Sequence, residues 1–377
     1  MRIYLDNAAT TPVSPEVVQT MLPFFTENFG NPSAIHADGR KTRIAIEEAR
    51  KLIAKELNAS IGEIFFTSGG TESNNMALKC AVRDLGVNRI ISSPTEHHCV
   101  LHTLESLALQ QHVKVELLDL DEAGRPQLAQ LETLLKQESG SKTLVSLMHA
   151  NNEIGVMIDL QKLSDLCKEH NVLLHSDTVQ TMCHYRFDLQ KTPVSFLSGS
   201  AHKFHGPKGV GFIYINGNNQ IKPYIDGGGQ ERNMRAGTEN LTGIIGLAKA
   251  FELAYTNLET HHAHIQKLRT HMIARIKSEI PTAKFNGDLS PEGSLYTVLS
   301  ICFGNTPKTD LLLMNLDIAG ISASGGSACS SGAEKGSHVL AALMPNLDCR
   351  TIRFSFSHYN TIEEVDSAID TLKRILG

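Results

Sequence analysis

The sequence lacks the features that would place the protein in a membrane or on a nucleic acid. No apolar run approaches the roughly 20 residues that a membrane-spanning helix needs. The first residues suggest a short strand and a turn, without the apolar core of a signal peptide. The formal net charge is −5, so charge gives no reason to expect a nucleic acid or a membrane as partner. We therefore expect neither, and we expect a cytoplasmic protein.

The cysteines are scattered, and none forms a Cys-x-x-Cys pair. They are Cys80, Cys99, Cys167, Cys183, Cys302, Cys329 and Cys349. This pattern predicts neither a zinc site nor a disulfide framework, and it indicates a reducing compartment. We expect no metal, and we expect every cysteine except Cys329 to be structural.

The length and the element pattern predict an α/β protein of two domains. The 377 residues are enough for two sizeable cores. Strands and helices alternate from residue 63 to residue 215, which predicts a largely parallel sheet covered on both faces. A long helical region is expected from residue 240 to about residue 280, and its length suggests a connector between domains. We predict a large domain at 14–255 and a smaller α+β domain formed by 1–13 and 256–377.

A glycine pair follows the first strong strand pattern, at residues 63–67. The segment continues as Ser-Gly-Gly-Thr-Glu-Ser-Asn-Asn at 68–75 and then as a helix rich in Ala and Leu. Backbone N–H groups and the helix dipole converge on an anion at such a helix start, and glycine lets the anion approach closely. This segment is therefore a candidate phosphate site, although a plain capped helix would have a similar sequence.

Other polar residues stand where later strands end, which is where active sites of parallel sheets lie. They are His97, Asn152, Asp177, Gln180 and Lys203. Pyridoxal phosphate needs phosphate donors, a carboxylate that keeps the pyridine nitrogen protonated, and a Schiff-base lysine. The glycine pair, Asp177 and Lys203 supply these three. Taken singly, Lys203 could be a surface lysine and His97 a surface histidine.

A segment rich in Gly, Ser and Ala spans residues 322–337, and Cys329 is its only strong nucleophile. This composition predicts a mobile loop that presents the thiol. An exposed, inert thiol is the alternative.

Ten motifs in this order resemble the cysteine desulfurases, a group within the class-V aminotransferases of fold type I. They are Tyr-Leu-Asp-Asn-Ala-Ala-Thr-Thr-Pro (4–12), Gly-Asn-Pro (30–32), Thr-Ser-Gly-Gly-Thr-Glu-Ser-Asn-Asn (67–75), Thr-Glu-His (95–97), Asn-Asn-Glu-Ile-Gly (151–155), Asp-Thr-Val-Gln (177–180), Ser-Ala-His-Lys (200–203), Arg-Ala-Gly-Thr (235–238), Ser-Ala-Cys (327–329) and Ile-Arg-Phe-Ser (352–355). The resemblance implies a large domain with a mostly parallel seven-stranded sheet. The cysteine loop resembles the branch that supplies iron–sulfur cluster assembly and tRNA thiolation.

The resemblance also implies a role for each site residue. Lys203 would hold pyridoxal 5'-phosphate and move the Cα proton, while Asp177 and Gln180 would contact the cofactor ring and His97 would stack on it. Asn152 and Arg353 would bind the substrate carboxylate. The implied phosphate ligands are Gly70, Thr71, Ser200, His202 and, from a neighbouring subunit, Thr238. Cys329 would accept sulfur as a persulfide.

These roles imply conversion of L-cysteine to L-alanine by a homodimer. Sulfur would pass to an iron–sulfur scaffold or a tRNA-thiolation protein, and Cys329 could transiently ligate an iron–sulfur cluster. Selenocysteine lyase and small-amino-acid aminotransferase are alternatives on the same cofactor site. A non-catalytic scaffold for sulfur assembly is an alternative of another class.

Overall fold

The computed structural model describes residues 2–137, 140–325, 336–344 and 349–377. The strands are β1 (Ile3–Tyr4), β2 (Ile64–Thr67), β3 (Arg89–Ser92), β4 (Lys114–Leu117), β5 (Thr143–Ser146), β6 (Leu173–Asp177), β7 (Phe196–Ser200), β8 (Gly211–Ile215), β9 (Lys284–Asn286), β10 (Val298–Gly304), β11 (Ile321–Ser322) and β12 (Cys349–Ser355). The helices are α1 (Pro15–Met21), α2 (Pro23–Thr26), α3 (Ala37–Glu56), α4 (Gly70–Leu85), α5 (His98–Gln111), α6 (Leu128–Gln137), α7 (Leu160–Glu169), α8 (Gln230–Asn233), α9 (Leu241–Thr256), α10 (Leu258–Glu279), α11 (Leu312–Ile318), α12 (His338–Leu343) and α13 (Ile362–Leu376).

The predicted seven-stranded, mostly parallel sheet is confirmed. Its strand order is β2-β8-β7-β6-β5-β3-β4, and only β8 runs antiparallel to its neighbours. Strands β2, β3, β5, β7 and β8 are buried along their whole length, as expected for strands covered by helices on both faces. The parallel order brings Asp177, the last residue of β6, beside the end of β7 just before Lys203.

A second core lies around an antiparallel sheet of order β12-β10-β9. It packs α10 and α13 against the sheet, and β1 joins it by pairing in parallel with β11. The N-terminal strand is thus part of the C-terminal core, whereas the exact division at 14–255 stays a prediction. No helix within the described ranges has the length and apolar character needed to cross a membrane.

The helical region expected from residue 240 to about residue 280 is present, and it consists of two helices. Helix α9 ends at Thr256 and α10 begins at Leu258. Asn257 between them donates its side-chain amide to the carbonyl of Leu253 at 2.9 Å, a local bond by which asparagine competes with continued helix. The two helices also belong to different cores, because α9 packs on α3 while α10 packs on α13.

The structure departs from the prediction of no disulfide framework, because it contains a disulfide. Cys302 in β10 is bonded to Cys349 in β12, with the two Cα atoms 5.7 Å apart. The 47 residues between them hide the pairing in the sequence, but the antiparallel register of β10 and β12 brings the two positions onto neighbouring strands. The cysteine pattern therefore no longer argues for a reducing compartment.

Histidines from both cores meet at a cavity of about 310 Å³ that Lys203 also lines. His184 lies 3.3 Å from the Lys203 carbonyl and 3.1 Å from the Tyr296 hydroxyl. The ring of His358 lies 4.5 Å from that of His205 between centroids. Burial lowers the pKa of His184 and of His205 to about 4. These imidazoles are therefore neutral at pH 7.

We expect this packing to make the protein sensitive to acid. A histidine near pKa 6.5 in the unfolded chain and about 4 in the folded one stabilises the fold fully above pH 6.5. That contribution falls as the pH drops from 6.5 toward 4, by the order of 3 kcal/mol per buried histidine. Urea unfolding at pH 7 and pH 5 should show the loss. His205→Gln should reduce the difference between the two pH values, whereas the exposed His102→Gln should not; equal free energies of unfolding at both pH values would contradict the expectation.

Candidate active site

Most of the predicted site residues line one cavity of about 240 Å³ at the carboxyl ends of the parallel strands. The cavity brings together Gly70, Thr71, His97, Asn152, Asp177, Gln180, Ser200, His202, Lys203 and Arg353. They come from six separate stretches of the chain, and the fold brings them together at one place.

Two predicted residues are not among those lining this cavity. Thr238 is exposed on the loop before α9, and its expected place in a neighbouring subunit's site remains a prediction. Cys329 lies outside the described residues, so its role rests on the sequence.

Lys203 lies in a short 3₁₀ turn directly after β7. Its Nζ donates to the carbonyls of Ala8, at 2.6 Å, and Ala9, at 2.8 Å. Gln180 Nε2 donates to the same Ala8 carbonyl at 3.1 Å. The N-terminal segment thus forms one wall of the site through its backbone. The sequence does not predict this contribution, because two alanines carry no side-chain chemistry that a pattern could indicate.

Asp177 is held by a buried chain of hydrogen bonds. A carboxylate only accepts, so the Asn74 amide nitrogen, 2.6 Å from Oδ2, donates to it. Asn74 Oδ1 therefore faces His175 Nε2 at 3.1 Å, and the His175 proton lies on Nε2. Burial lowers the pKa of His175 to about 4, so the ring is neutral and its Nδ1 accepts from the Ser146 hydroxyl at 2.8 Å. This chain fixes the carboxylate in place.

Asn74→Ala should lower kcat/KM about 10- to 100-fold, because it removes a hydrogen bond to a buried charged group. Asn75→Ala is the matched control, since Asn75 lies on the same helix and bonds Thr71 and Thr103 instead. Steady-state kinetics with cofactor in excess would measure both. Equal effects of the two substitutions would show that Asn74 acts only through the helix.

His97 is the N-cap of α5, and its ring lines the cavity. Its Nδ1 accepts from the Cys99 backbone N–H at 3.2 Å and lies 3.1 Å from Cys99 Sγ. When the ring is neutral, its proton therefore lies on Nε2. Cys99, expected to be structural, itself lines the cavity.

The start of α4 has the geometry of a phosphate-binding site. The N-cap Gly69 has φ +150°, a conformation that favours glycine, and a Cβ on Gly70 would lie only 2.6 Å from Val179 Cγ2. Ser200 and His202 line the same cavity. Burial, together with the nearby charge of Lys203, lowers the pKa of His202 to about 4. With the fixed carboxylate and the lysine amine in the same cavity, this donor set fits pyridoxal phosphate.

Arg353 in β12 supplies a buried guanidinium, with 1% of its side chain exposed. Its Nη1 donates to the Asn152 carbonyl at 2.9 Å, and its Nη2 to Asp6 Oδ1 at 2.7 Å. Its buried Nε has no partner among the described residues. An unsatisfied N–H at a cavity wall is what a ligand carboxylate can complete.

Comparisons with known proteins agree with this geometry. The family model described as "Aminotransferase class-V" matches residues 3–367. "Cysteine desulfurase IscS" of Dictyoglomus turgidum is 43% identical over 99% of this chain and 94% of its own length. The solved structure "NIFS-LIKE PROTEIN" has a TM-score of 0.91 at 38% identity, covering 100% of this chain and 99% of its own.

A structure titled "SspA in complex with cysteine" has a TM-score of 0.80 at 32% identity, over 96% of this chain and 100% of its own. All of these similarities extend over nearly the whole length of both chains. The protein belongs to the class-V aminotransferase family and, within it, to the cysteine desulfurases.

Proposed function

We propose that the protein converts L-cysteine to L-alanine with pyridoxal phosphate and leaves the sulfur as a persulfide on Cys329. The observation that carries the proposal is the meeting of Lys203, the fixed Asp177 and Arg353 in one cavity. The family relatives favour this reaction over the selenocysteine lyase, aminotransferase and scaffold alternatives.

In this proposal pyridoxal phosphate supplies an electron sink that makes the substrate Cα–H acidic. Asp177 keeps the pyridine nitrogen protonated, and the amine of Lys203 takes the Cα proton. His97 exchanges a proton at Nε2. Arg353 binds the substrate carboxylate, and Asn152 borders it. Gly70, Thr71, Ser200 and His202 bind the phosphate, and Gln180 bonds the ring hydroxyl.

The sulfur transfer is a displacement by the Cys329 thiolate. Its sulfur attacks the substrate Sγ, so an S–S bond forms while the substrate Cβ–S bond breaks. The electron pair of the broken bond stays on the carbon side, which takes up a proton to give L-alanine. The products are one alanine and one persulfide per cysteine.

The proposal extends to the assembly and the acceptors. The enzyme works as a homodimer in which Thr238 of one subunit completes the phosphate site of the other. An iron–sulfur scaffold or a tRNA-thiolation protein takes the sulfur, and Cys329 can transiently ligate a cluster during that transfer. The proposed compartment is the cytoplasm.

The test compares three reactions of the purified holoenzyme under a reducing thiol. With L-cysteine, alanine and sulfide should appear in equal amounts. L-Alanine with a 2-oxo acid should give no amino transfer. A higher kcat/KM for L-selenocysteine, with little turnover of L-cysteine, would replace the proposal by the lyase, and transfer of the amino group would replace it by an aminotransferase.

A further inference from the structure

Asp6, at the end of the N-terminal strand, forms an ion pair with the arginine of the site. Asp6 Oδ1 lies 2.7 Å from Arg353 Nη2, with side chains 18% and 1% exposed. The pair joins residues that are 347 positions apart. A bridge between Asp6 and Ser355 holds the two backbones together there, so the contact is built into the fold.

Asp6 is itself held in position from two sides. Its Oδ1 also accepts from the Ser324 hydroxyl at 2.9 Å. The backbones of Ser324 and Arg353 exchange two hydrogen bonds, at 3.2 and 2.6 Å. The Tyr4 hydroxyl and the Ala9 N–H both donate to the Asp6 carbonyl. These contacts hold the carboxylate against the guanidinium.

The contacts of Arg353 leave one part of its guanidinium for a ligand. The group has five N–H donors in a planar fork. Asp6 takes one on Nη2, and the Asn152 carbonyl takes one on Nη1. Nε is buried without a partner in the described part of the chain. Nε and Nη2 form one edge of the fork, the arrangement that binds a carboxylate through two parallel hydrogen bonds.

We propose that Asp6 is a positioning residue for recognition of the substrate α-carboxylate. With the Asn152 carbonyl it fixes the plane of Arg353, so that the Nε edge is presented to an α-amino acid. Without Asp6 the guanidinium can rotate and must be ordered when substrate binds. This inference rests on the proposed function, in which Arg353 binds that carboxylate.

The test compares Asp6→Asn with the wild-type holoenzyme. The asparagine keeps the shape and removes the charge that holds Nη2. The KM for L-cysteine should rise about tenfold, with kcat within about twofold of wild type. Inhibition by L-alanine should weaken in the same proportion, whereas inhibition by cysteamine, which lacks the carboxylate, should not change. A loss confined to kcat, or an equal loss for cysteamine, would overturn the inference.

Two further variants keep the result interpretable. Asp310→Asn breaks an exposed ion pair between Asp310 and Arg350, and Arg350 lies on β12, as Arg353 does. This substitution should leave the KM unchanged. Ser324→Ala removes the hydroxyl that holds Asp6, so it should raise the KM about threefold even if Asp6→Asn fails to fold. An unchanged KM in Ser324→Ala would count against the inference.

Arg353→Ala separates this inference from the proposed function. If it binds L-alanine and cysteamine with wild-type affinity, Arg353 does not bind the carboxylate and that part of the proposed function fails. If Arg353→Ala loses L-alanine binding while Asp6→Asn retains it, the proposed function stands and the positioning role of Asp6 is overturned.

Discussion

Replacing Lys203 with alanine is expected to lower turnover of L-cysteine at least about 10⁴-fold. The substitution removes both the covalent attachment point of pyridoxal phosphate and the amine that moves the Cα proton. No other side-chain amine can take its place, because Lys203 is the one lysine among the described residues that line the cavity. Alanine release and the visible absorbance of the bound cofactor would measure the two losses separately.

Lys208→Ala is the matched control, since Lys208 is an exposed lysine five positions later. It should keep both the absorbance and the rate. If Lys203→Ala instead retained the covalent cofactor and a substantial rate, another group would be the attachment point. The assignment of the cavity in this account would then be wrong.

Replacing Cys329 with serine is expected to lower alanine formation from L-cysteine at least about 10³-fold, because a hydroxyl at neutral pH is a far weaker nucleophile than a thiolate. The cofactor should remain bound, because the groups that hold it line the cavity through other residues. The measurements are alanine release and visible absorbance upon addition of L-cysteine. A spectral change without alanine would show that the substrate binds but sulfur transfer is blocked.

Cys167→Ala serves as the control for that substitution. Cys167 is buried in α7, away from the cavity lining, and burial raises its thiol pKa to about 12. This thiol is therefore not a nucleophile at pH 7, and its loss should leave the rate close to wild type. A Cys329→Ser protein as active as the wild type would mean that sulfur is accepted elsewhere.

The main sheet could be predicted because its strands are short apolar runs that alternate with amphipathic helices. That pattern is local, and the ends of its strands located His97, Asp177 and Lys203. The break at Asn257 and the bond between Cys302 and Cys349 could not be predicted in this way. The first depends on which core each helix joins, and the second on a strand register between residues 47 positions apart.

The supporting contacts of the site were hidden for the same reason. Asn74 lies in the motif at residues 67–75, but its hydrogen bond to Asp177 joins residues 103 positions apart. His175 belongs to a buried strand pattern that gives no sign of its partner, and only the structure shows its hydrogen bond to Asn74. The carbonyls of Ala8 and Ala9 give no side-chain signal. Sequence patterns thus indicated the reacting groups better than the groups that orient them.

The central claim is tested most directly by mixing the wild-type holoenzyme with one equivalent of L-cysteine in the absence of a reducing thiol. Alanine is then quantified, and the protein is digested and its peptides are weighed by mass spectrometry. The account predicts close to one alanine per active site, with one extra sulfur atom on the peptide that contains Cys329. Alanine without that added sulfur, or an added sulfur on another cysteine, would contradict it.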